Sequence, residues 1–600
     1  MFEEKIQYGH ITTEVQEVFI RKYRTHKKHG ETTFLYMNST TTDNTTRSAA
    51  VFILLFTAFL FFFNLGKRDL WAPDEPRYAQ VSKEMLDSGN FIVPHLNSET
   101  YPDKPPLLFW LINLFSLPFG KVTALSSRLP SAFAGIGCCL AIFYLGKSVC
   151  GSTRIGLLSA LILATSTKFL WMAHRVAFDV VLTFFVMMAI LCFYKGYTGR
   201  HGSSLTTSPY EGGDKREVKK HSGWYYILFY VFMALGVLTK GPVGFILPFF
   251  TVLVYLIVKK DMRVLKETRP WIGGPIFIFV VFSWVSLAGI YGGEEYTNQI
   301  LFRQNVGRFA SSFAHKRPFY YYFFHFPANF LPWSIFIPGI AIYLFSQKGR
   351  EKIQNIVIPL VWFAVIFIFF SIVSGKRDIY VLPLYPAAAL IIAWFLNEFV
   401  EQFRERPFKK IGYYPCYLLC GFCLFLGILL PIGIYLFEYA SQYVSLPSVI
   451  PFVVILLPGG FLMLRFLNHD RIIPFLFTFI FIILIVFNIG TLNLIPVLNE
   501  HKSAKEICNK ANAIMKSGDK LAMYGFFRSP YLFYTNRSSL EVIYELDELR
   551  QFLESNERVF LFIREKHFKE VSKSLEAPFY VLESDSVGHR DMLFVSNKDI

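Results

Sequence analysis

Several short segments of this sequence combine carboxylates, cations and tyrosines in patterns that packing does not require. The first is Trp71-Ala72-Pro73-Asp74-Glu75-Pro76-Arg77-Tyr78. It has the form of a helix start, with Asp74 as cap, a proline in the first turn and Gly89 as the stop. It also sets two carboxylates beside a guanidinium. A carboxylate there can orient an acceptor or take its proton, and Arg77 can neutralise a phosphate or hold the carboxylate in place. The second is Tyr101-Pro102-Asp103-Lys104-Pro105-Pro106, whose prolines force an extended approach to the helix that follows. Lys104 there is either a snorkelling lysine or the contact for an anion. The third, Ala173-His174-Arg175 with Asp179, puts a carboxylate where Arg175 can pair with it. Lys240-Gly241-Pro242 and Ser374-Gly375-Lys376-Arg377-Asp378 with Tyr380 each set a lysine beside helix-breaking residues. A last set is Arg308-Phe309 and His315-Lys316-Arg317-Pro318, followed by the aromatic run Phe319 to Phe324. That run reads as an interfacial belt or as a sugar platform. Three lysines at separate places, with Arg77 and Arg175, predict one basic pocket whose natural guest is a phosphate. Asp74, Asp179 and Glu75 are the candidates for chemistry. Arg77, Tyr78, Tyr101, Asp103, Lys104, Arg175, Lys240, His315, Lys376 and Tyr380 are the candidates for binding.

The elements that must position these residues are membrane spans. Of 600 residues, 53% are hydrophobic, 18% aromatic and only 17% charged, against about 25% charged in ordinary soluble domains. The mean hydropathy is +0.39. Apolar runs long enough to cross a bilayer lie near 49–65, 129–147, 155–173, 179–195, 223–239, 241–258, 271–291, 327–346, 353–373, 379–397, 413–437, 449–466 and 472–492, so about thirteen spans are expected. Residues 106–119 are a further, shorter candidate. If they lie in the interface without crossing, Lys147, Arg154, Lys215, Arg216, Lys259, Lys260, Arg263, Lys348, Arg350, Arg404 and Lys409 all fall on the cytoplasmic side, as the positive-inside rule requires. If they cross, the rule fails repeatedly. The interfacial reading places the loop 66–128, the turn at Asp179, the loop 292–326 and the turn at Lys376 together on the outer face. Intramembrane and outward charge beyond the needs of topology marks function.

The net charge of +16 is thereby explained by loop lysines and arginines, and nucleic-acid binding is excluded by the lack of a basic patch with stacking aromatics outside the spans. Cys138, Cys139, Cys192, Cys416, Cys420 and Cys423 lie in apolar runs and read as small core residues rather than metal ligands. Residues 1–48 read as a disordered cytoplasmic extension in which Met37 is a second candidate start. Residues 49–497 form the transmembrane unit and 498–600 a soluble α/β unit. In that unit, Ser503 to Met515 and Leu546 to Phe552 are expected to be helical, and Lys520 to Tyr524 and Val559 to Ile563 to be strands. No glycine-rich phosphate loop or Rossmann pattern occurs, so nothing here resembles a nucleotide-binding site.

The order Asp74-Glu75-Pro-Arg77-Tyr78-Ala, Asp103-Lys104-Pro-Pro, Ser127-Arg128-Leu129-Pro130-Ser131-Ala, Arg175 with Asp179, Leu238-Thr-Lys240-Gly-Pro and Ser374-Gly-Lys376 with Tyr380 resembles the bacterial aminoarabinose (4-amino-4-deoxy-L-arabinose) transferases that modify lipid A. It is similar, more loosely, to the protein O-mannosyltransferases of the same GT-C superfamily. The resemblance covers about residues 50 to 400. It implies an α-helical polytopic GT-C fold in the bacterial inner membrane, with the active site and a C-terminal α/β domain in the periplasm. It implies an undecaprenyl-phosphate sugar as donor and lipid A or another envelope glycolipid as acceptor. It also implies that Asp74 and Asp179 are the essential acidic positions and Lys104 the contact to the carrier phosphate. Asp103 stands where the family usually has Glu, which leaves open a divalent metal at that position, and Pro76 replaces the more common Thr. A protein O-mannosyltransferase and a flippase for a lipid-linked sugar are the alternatives. The paired repeats of a transporter are not seen.

Overall fold

In hydrocarbon only a helix satisfies every backbone donor and acceptor within one segment, and the apolar runs fold accordingly. A computed structural model describes residues 44–201, 215–300, 316–402, 406–436, 445–516, 518–574 and 579–599. Among these, ten helices are long and apolar enough to cross a membrane. Two helix pairs are bent at a short break, Thr153–Thr165 with Thr167–Ala173 (70°) and Tyr321–Asn329 with Trp333–Phe345 (116°), and bring the number to twelve if each is one span. The apolar helix Val243–Lys259 lies over the expected run 241–258 but is shorter than these, so ten to twelve spans stand against the thirteen expected. The chain is a multi-span helical membrane protein.

The elements that carry the site are named α1 (Asn44–Phe62), α2 (Asp74–Ser88), α3 (Leu107–Ser116), α4 (Ala124–Cys150), α5 (Thr153–Thr165), α6 (Thr167–Ala173), α7 (Phe178–His201), α8 (Lys215–Lys240) and α9 (Val243–Lys259). α1 begins five residues before the expected boundary at 49. Lys147 at the end of α4 donates to Thr46 (2.7 Å), so the polar start of α1 is held by a cation of the neighbouring span. α3, with the short 3-10 turn Leu117–Phe119, is a short apolar helix that follows the proline pair.

Three local features aim the site. α4 opens on a capping box in which Thr123 Oγ1 accepts from Ser126 N (3.0 Å) and Ser126 Oγ from Thr123 N (2.9 Å), which sets Arg128 in the second turn. α5 breaks at Ser166, whose ψ of 128° is extended. Thr167 then donates through its amide (2.9 Å) and its hydroxyl (2.7 Å) to the carbonyl of Leu331, in the break of the other bent pair, so the two bends brace each other. α8 turns back into α9 at Gly241 (φ +78°). Just below, Gly236 and Gly244 let the two backbones touch: a Cβ on Gly244 would fall 2.0 Å from the Gly236 carbonyl carbon. That contact fixes the height of Lys240, the last residue of α8.

The helix Ile472–Lys502 continues past the expected boundary at 497 without a break, because its polar last turns lie against loop 67–71 rather than in water. The α/β unit follows. Its five strands are β3 (Lys520–Tyr524), β4 (Glu541–Ile543), β5 (Val559–Arg564), β6 (Tyr580–Ser586) and β7 (Asp591–Ser596), in the order β4-β3-β5-β7-β6. β3 is parallel to both β4 and β5, and β6 and β7 complete the sheet antiparallel. Lys505–Ile514 and Leu546–Leu553 are the expected helices. Ser529–Tyr534 and Glu565–Val571 join them, and one apolar core lies on each sheet face. A two-residue hairpin in the outer loop, β1 (His95–Leu96) to β2 (Glu99–Thr100), turns on Asn97 and Ser98, both at positive φ. The Asn97 amide exchanges two hydrogen bonds with the Leu540 backbone (2.7 and 3.0 Å), docking the α/β unit onto that loop.

Candidate functional site

Glu75 is fully buried, which corrects the expectation that it stands beside Asp74 at the mouth of a cavity. Arg68 Nη2 (3.0 Å) and Arg128 Nε (2.9 Å) both donate to its Oε1, and Arg128 Nη2 donates to Oε2 at 3.3 Å. The Val176 amide (3.1 Å) and the Trp71 amide (3.4 Å) add to these, and Arg175 Nε lies 3.9 Å away. Burial alone would raise the Glu75 carboxyl. Arg128, Arg68 and Arg175 outweigh it and hold the group at about 2. Burial lowers Arg68 to about 9, with Glu75 opposing. Arg128 also donates to the carbonyls of Leu65 (2.9 Å), Arg68 (2.5 Å) and Asp69 (2.8 Å). One carboxylate thus ties the start of α2, the start of α4 and the turn before α7 into one knot. Arg175, expected to pair with Asp179, belongs to this knot and lies over the Trp171 ring (5.7 Å).

Asp74 follows Pro73 in the first turn of α2 and makes no cap bond. Its side chain, 20% exposed, reaches Arg77 Nη2 (2.5 Å) and Arg377 Nη2 (3.1 Å). Burial would lower Arg377, but Asp74 raises it on balance, and Asp179 and Tyr380 act in the same sense. Arg77 stacks on Tyr78 (5.3 Å), and burial raises the phenols of Tyr78 and Tyr101. The Tyr101 hydroxyl is buried without a hydrogen-bond partner. Asp103 and Lys104 are half-buried beside it, and Lys104 Nζ donates to the Asp103 carbonyl (3.1 Å).

Asp179, in the first turn of α7, is ion-paired with Lys240, whose ammonium lies 4.5 Å from the Tyr380 ring centre. Asp179 acts electrostatically on both Tyr78 and Arg377, and Tyr78 packs edge-on against Phe178 (4.9 Å). Asp74, Arg77, Tyr78, Tyr101, Asp179, Lys240, Arg377 and Tyr380 therefore form one cluster. Its ionic core sets three cations (Arg77, Lys240, Arg377) against the partly exposed Asp74 and the buried Asp179, leaving one net positive charge. That is a site for an anionic group next to positioned carboxylates.

Lys376 is a correction. It is 3% exposed, and its ammonium donates to the carbonyls of Val373 and of Arg317 (3.2 Å for the latter). The helix Val357–Ile372 leaves carbonyls unpaired at its end, and Lys376 takes one of them while pinning the segment at 316–317. Arg377 faces Asp74 in its place, with its own carbonyl held by the Tyr322 hydroxyl (3.0 Å). Arg377 and the pair Arg68 and Arg128 were not among the expected site residues. Their signal was present as arginines beside Gly66, Lys376 and the cap of α4, where topology needs no charge. His315 and Arg308 lie outside the described residues. Among the described residues no three His, Cys, Asp or Glu side chains converge as metal ligands.

Residues 48–291 match the family model of dolichyl-phosphate-mannose-protein mannosyltransferase. An uncharacterized protein of Aquifex aeolicus (strain VF5) is 32% identical over 346 residues, 58% of this chain and 63% of that one. The undecaprenyl phosphate-alpha-4-amino-4-deoxy-L-arabinose arabinosyl transferase of Serratia proteamaculans (strain 568) is 29% identical over 370 residues, 60% of this chain and 61% of that one. The matches thus span about three fifths of the length of these relatives. The fold is that of ArnT from Cupriavidus metallidurans, a structure bound to undecaprenyl phosphate. The TM-score is 0.73 at 18% identity, covering 91% of this chain and 98% of that one.

Proposed function

We propose that this aminoarabinose transferase-like, GT-C-type membrane protein transfers a sugar from undecaprenyl phosphate to a lipid acceptor, with 4-amino-4-deoxy-L-arabinose and lipid A as the first pair to test. The observation that carries the reading is the joining, from the ends of separate helices, of Asp74 and Asp179 to Arg77, Arg377 and Lys240. Transfer breaks the bond between the anomeric carbon and the carrier phosphate oxygen and forms one to an acceptor oxygen. The leaving phosphate keeps the electron pair, and cations already in place meet that charge without reorganising. If the acceptor is a phosphate, its oxygen is already ionised near pH 7, because the second phosphate pKa is about 6. The two carboxylates then orient donor, acceptor and cations. A hydroxyl acceptor needs a base, and Asp74 is the partly exposed carboxylate for it. The family match over 48–291 supports that second reading, in which a polyprenyl-phosphate mannose serves a protein hydroxyl.

The reading includes the bacterial inner membrane and a periplasmic active site. Arg77, Asp179, Lys240 and Arg377 gather at one end of the bundle. The basic residues Lys147, Lys259 and Lys352 end helices at the other, where positive charge faces the cytoplasm. A reporter fused after Gly120 should read periplasm and one after Gly151 cytoplasm. The deciding experiment incubates purified protein with undecaprenyl-phosphate aminoarabinose and lipid A and weighs the lipid by mass spectrometry. Product in detergent, where no second compartment exists, excludes a flippase. Folded wild-type protein that yields no product with either the aminoarabinose or the mannose donor overturns the reading, and wild-type turnover from both Asp74→Asn and Asp179→Asn removes those carboxylates from it.

A further inference from the structure

We infer that the α/β unit carries a phosphate-binding site of its own, formed by Arg528, Arg564 and Arg590. The sheet order β4-β3-β5 means that the chain leaves β3 toward β4 on one side and returns to β5 on the other. Between β3 and β5 the order reverses, and in such sheets the crevice beyond the carboxyl ends of the parallel strands is where ligands bind. Arg528 lies in the loop that leaves β3. Arg564 is the last residue of β5 and is in register with Met592 of β7. Arg590 lies in the turn that leads into β7, where the Val587 amide donates to its carbonyl (2.9 Å). Three chain segments distant in sequence thus bring three guanidinium groups to one edge of the sheet.

All three arginines are half-buried. Among the described residues, none of them has a carboxylate within ion-pair distance, although the same unit pairs Arg558 with Asp519 and Lys510 with Glu583. The nearest in-register acid, Asp585 on β6, takes its hydrogen bonds from the Ser586 and Ile507 backbone and faces Glu506 and Lys510. Arg564 is stacked on Phe526, with its Cζ 4.8 Å from the ring centre. Its Nε is buried without a partner. Burial and mutual repulsion lower the guanidinium groups of Arg528 and Arg564, with Arg590 the leading repelling charge on each. Half-buried arginines that repel one another and lack an acid are stabilised by an anion, and planar guanidinium groups match a phosphate through paired N–H donors.

The turn that carries Arg590 also marks the height of the site. The Gly588 amide donates to the His501 carbonyl (2.5 Å), in the last turn of the helix Ile472–Lys502 that rises from the membrane. The crevice therefore stands close above the bilayer, where a phosphate arrives either on a lipid headgroup or free in solution. The inference does not rest on the transfer reaction.

The test is hydrogen–deuterium exchange on the full chain in nanodiscs of uncharged lipid, at constant ionic strength. Peptides covering Gly525–Tyr531 and Val587–Met592 are followed with added inorganic phosphate, with phosphatidic acid in the disc, and with diacylglycerol in the disc as the phosphate-free control. Protection of both peptides by phosphatidic acid alone assigns a lipid headgroup. Protection by inorganic phosphate as well assigns a free anion. In either case Arg528→Gln and Arg590→Gln should each weaken the half-saturating concentration about tenfold or more, and Lys520→Gln, at the far end of β3, should not change it. Arg590→Gln leaves the Arg564–Phe526 stack intact and so serves as the variant least able to unfold the unit. The inference is overturned if neither phosphate source protects the peptides, or if both arginine variants keep wild-type protection.

Discussion

Replacing Glu75 by Gln should destabilise the protein severely while changing no atom of the exposed cluster. Gln keeps the shape and one acceptor but leaves Arg68, Arg128 and Arg175 around a neutral group. Removing one partner from a buried ion pair costs about 3–5 kcal/mol, because the remaining charges stay desolvated. A second route gives a similar size. The carboxyl lies at about 2 instead of 4.5, which corresponds to about 3 kcal/mol of folded-state preference for the ionised form. With the folded value below the unfolded one, this contribution is complete above pH 4.5 and is lost as the pH falls toward 2. Wild type should therefore lose stability between pH 4.5 and 2 more steeply than Glu75→Gln, and the two should converge at the acid end. The assay is the temperature of half-loss of monodisperse protein in detergent across that pH range. A Glu75→Gln protein that melts within a degree of wild type at pH 7, or that shows the same acid slope, refutes the buried knot as the element that aims α2.

Arg377→Gln should weaken donor binding about ten- to a hundredfold, the size of one charge-assisted contact of about 1.5–3 kcal/mol. Lys376→Met should lower thermal stability and leave the affinity of the folded fraction unchanged, and donor titration with purified protein separates the two. Asp179→Asn and Lys240→Met should each reduce turnover, and the double variant should be little worse than the poorer single one, since the two form one unit. Full additivity in kcat/KM would separate them. Asn499→Ala removes hydrogen bonds to Lys67, Asp69 and the Trp71 indole. It should lower activity more than it lowers the melting point of the α/β unit, as read by hydrogen exchange in β3 and β5.

The membrane helices were legible because hydrocarbon imposes length and apolarity directly on the sequence. Pairings within the outer cluster were less so. Arg175 and Asp179 are four residues apart and invite pairing, yet the break between α6 and α7 turns Arg175 inward to Glu75, and the close approach of Gly236 and Gly244 delivers Lys240 to Asp179 instead. Adjacent lysine and arginine at 376 and 377 are equally good anion contacts on paper. Which one faces the cluster depends on which carbonyl the preceding helix leaves unpaired. In the α/β unit β3 and β5 were evident as apolar runs. β6 has only exposed and half-buried residues and offers no such run.

The hydrogen bonds that Asn499 and Tyr534 make to residues 67–71 also bear on synthesis. The Tyr534 hydroxyl accepts from the Leu70 amide (2.7 Å), and Lys505 pairs with Asp69 (3.0 Å), so the segment leading into Asp74 is clasped by residues more than four hundred positions later in the chain. On the ribosome, every span would be made before that clasp is complete. A nascent chain with its full complement of spans would hold the segment before Asp74 through Asn499, without the contacts of Tyr534 and Lys505. The segment leading into Asp74 would be fully clasped only once the α/β unit had folded. Folding of that unit is thus the step that completes the mounting of Asp74.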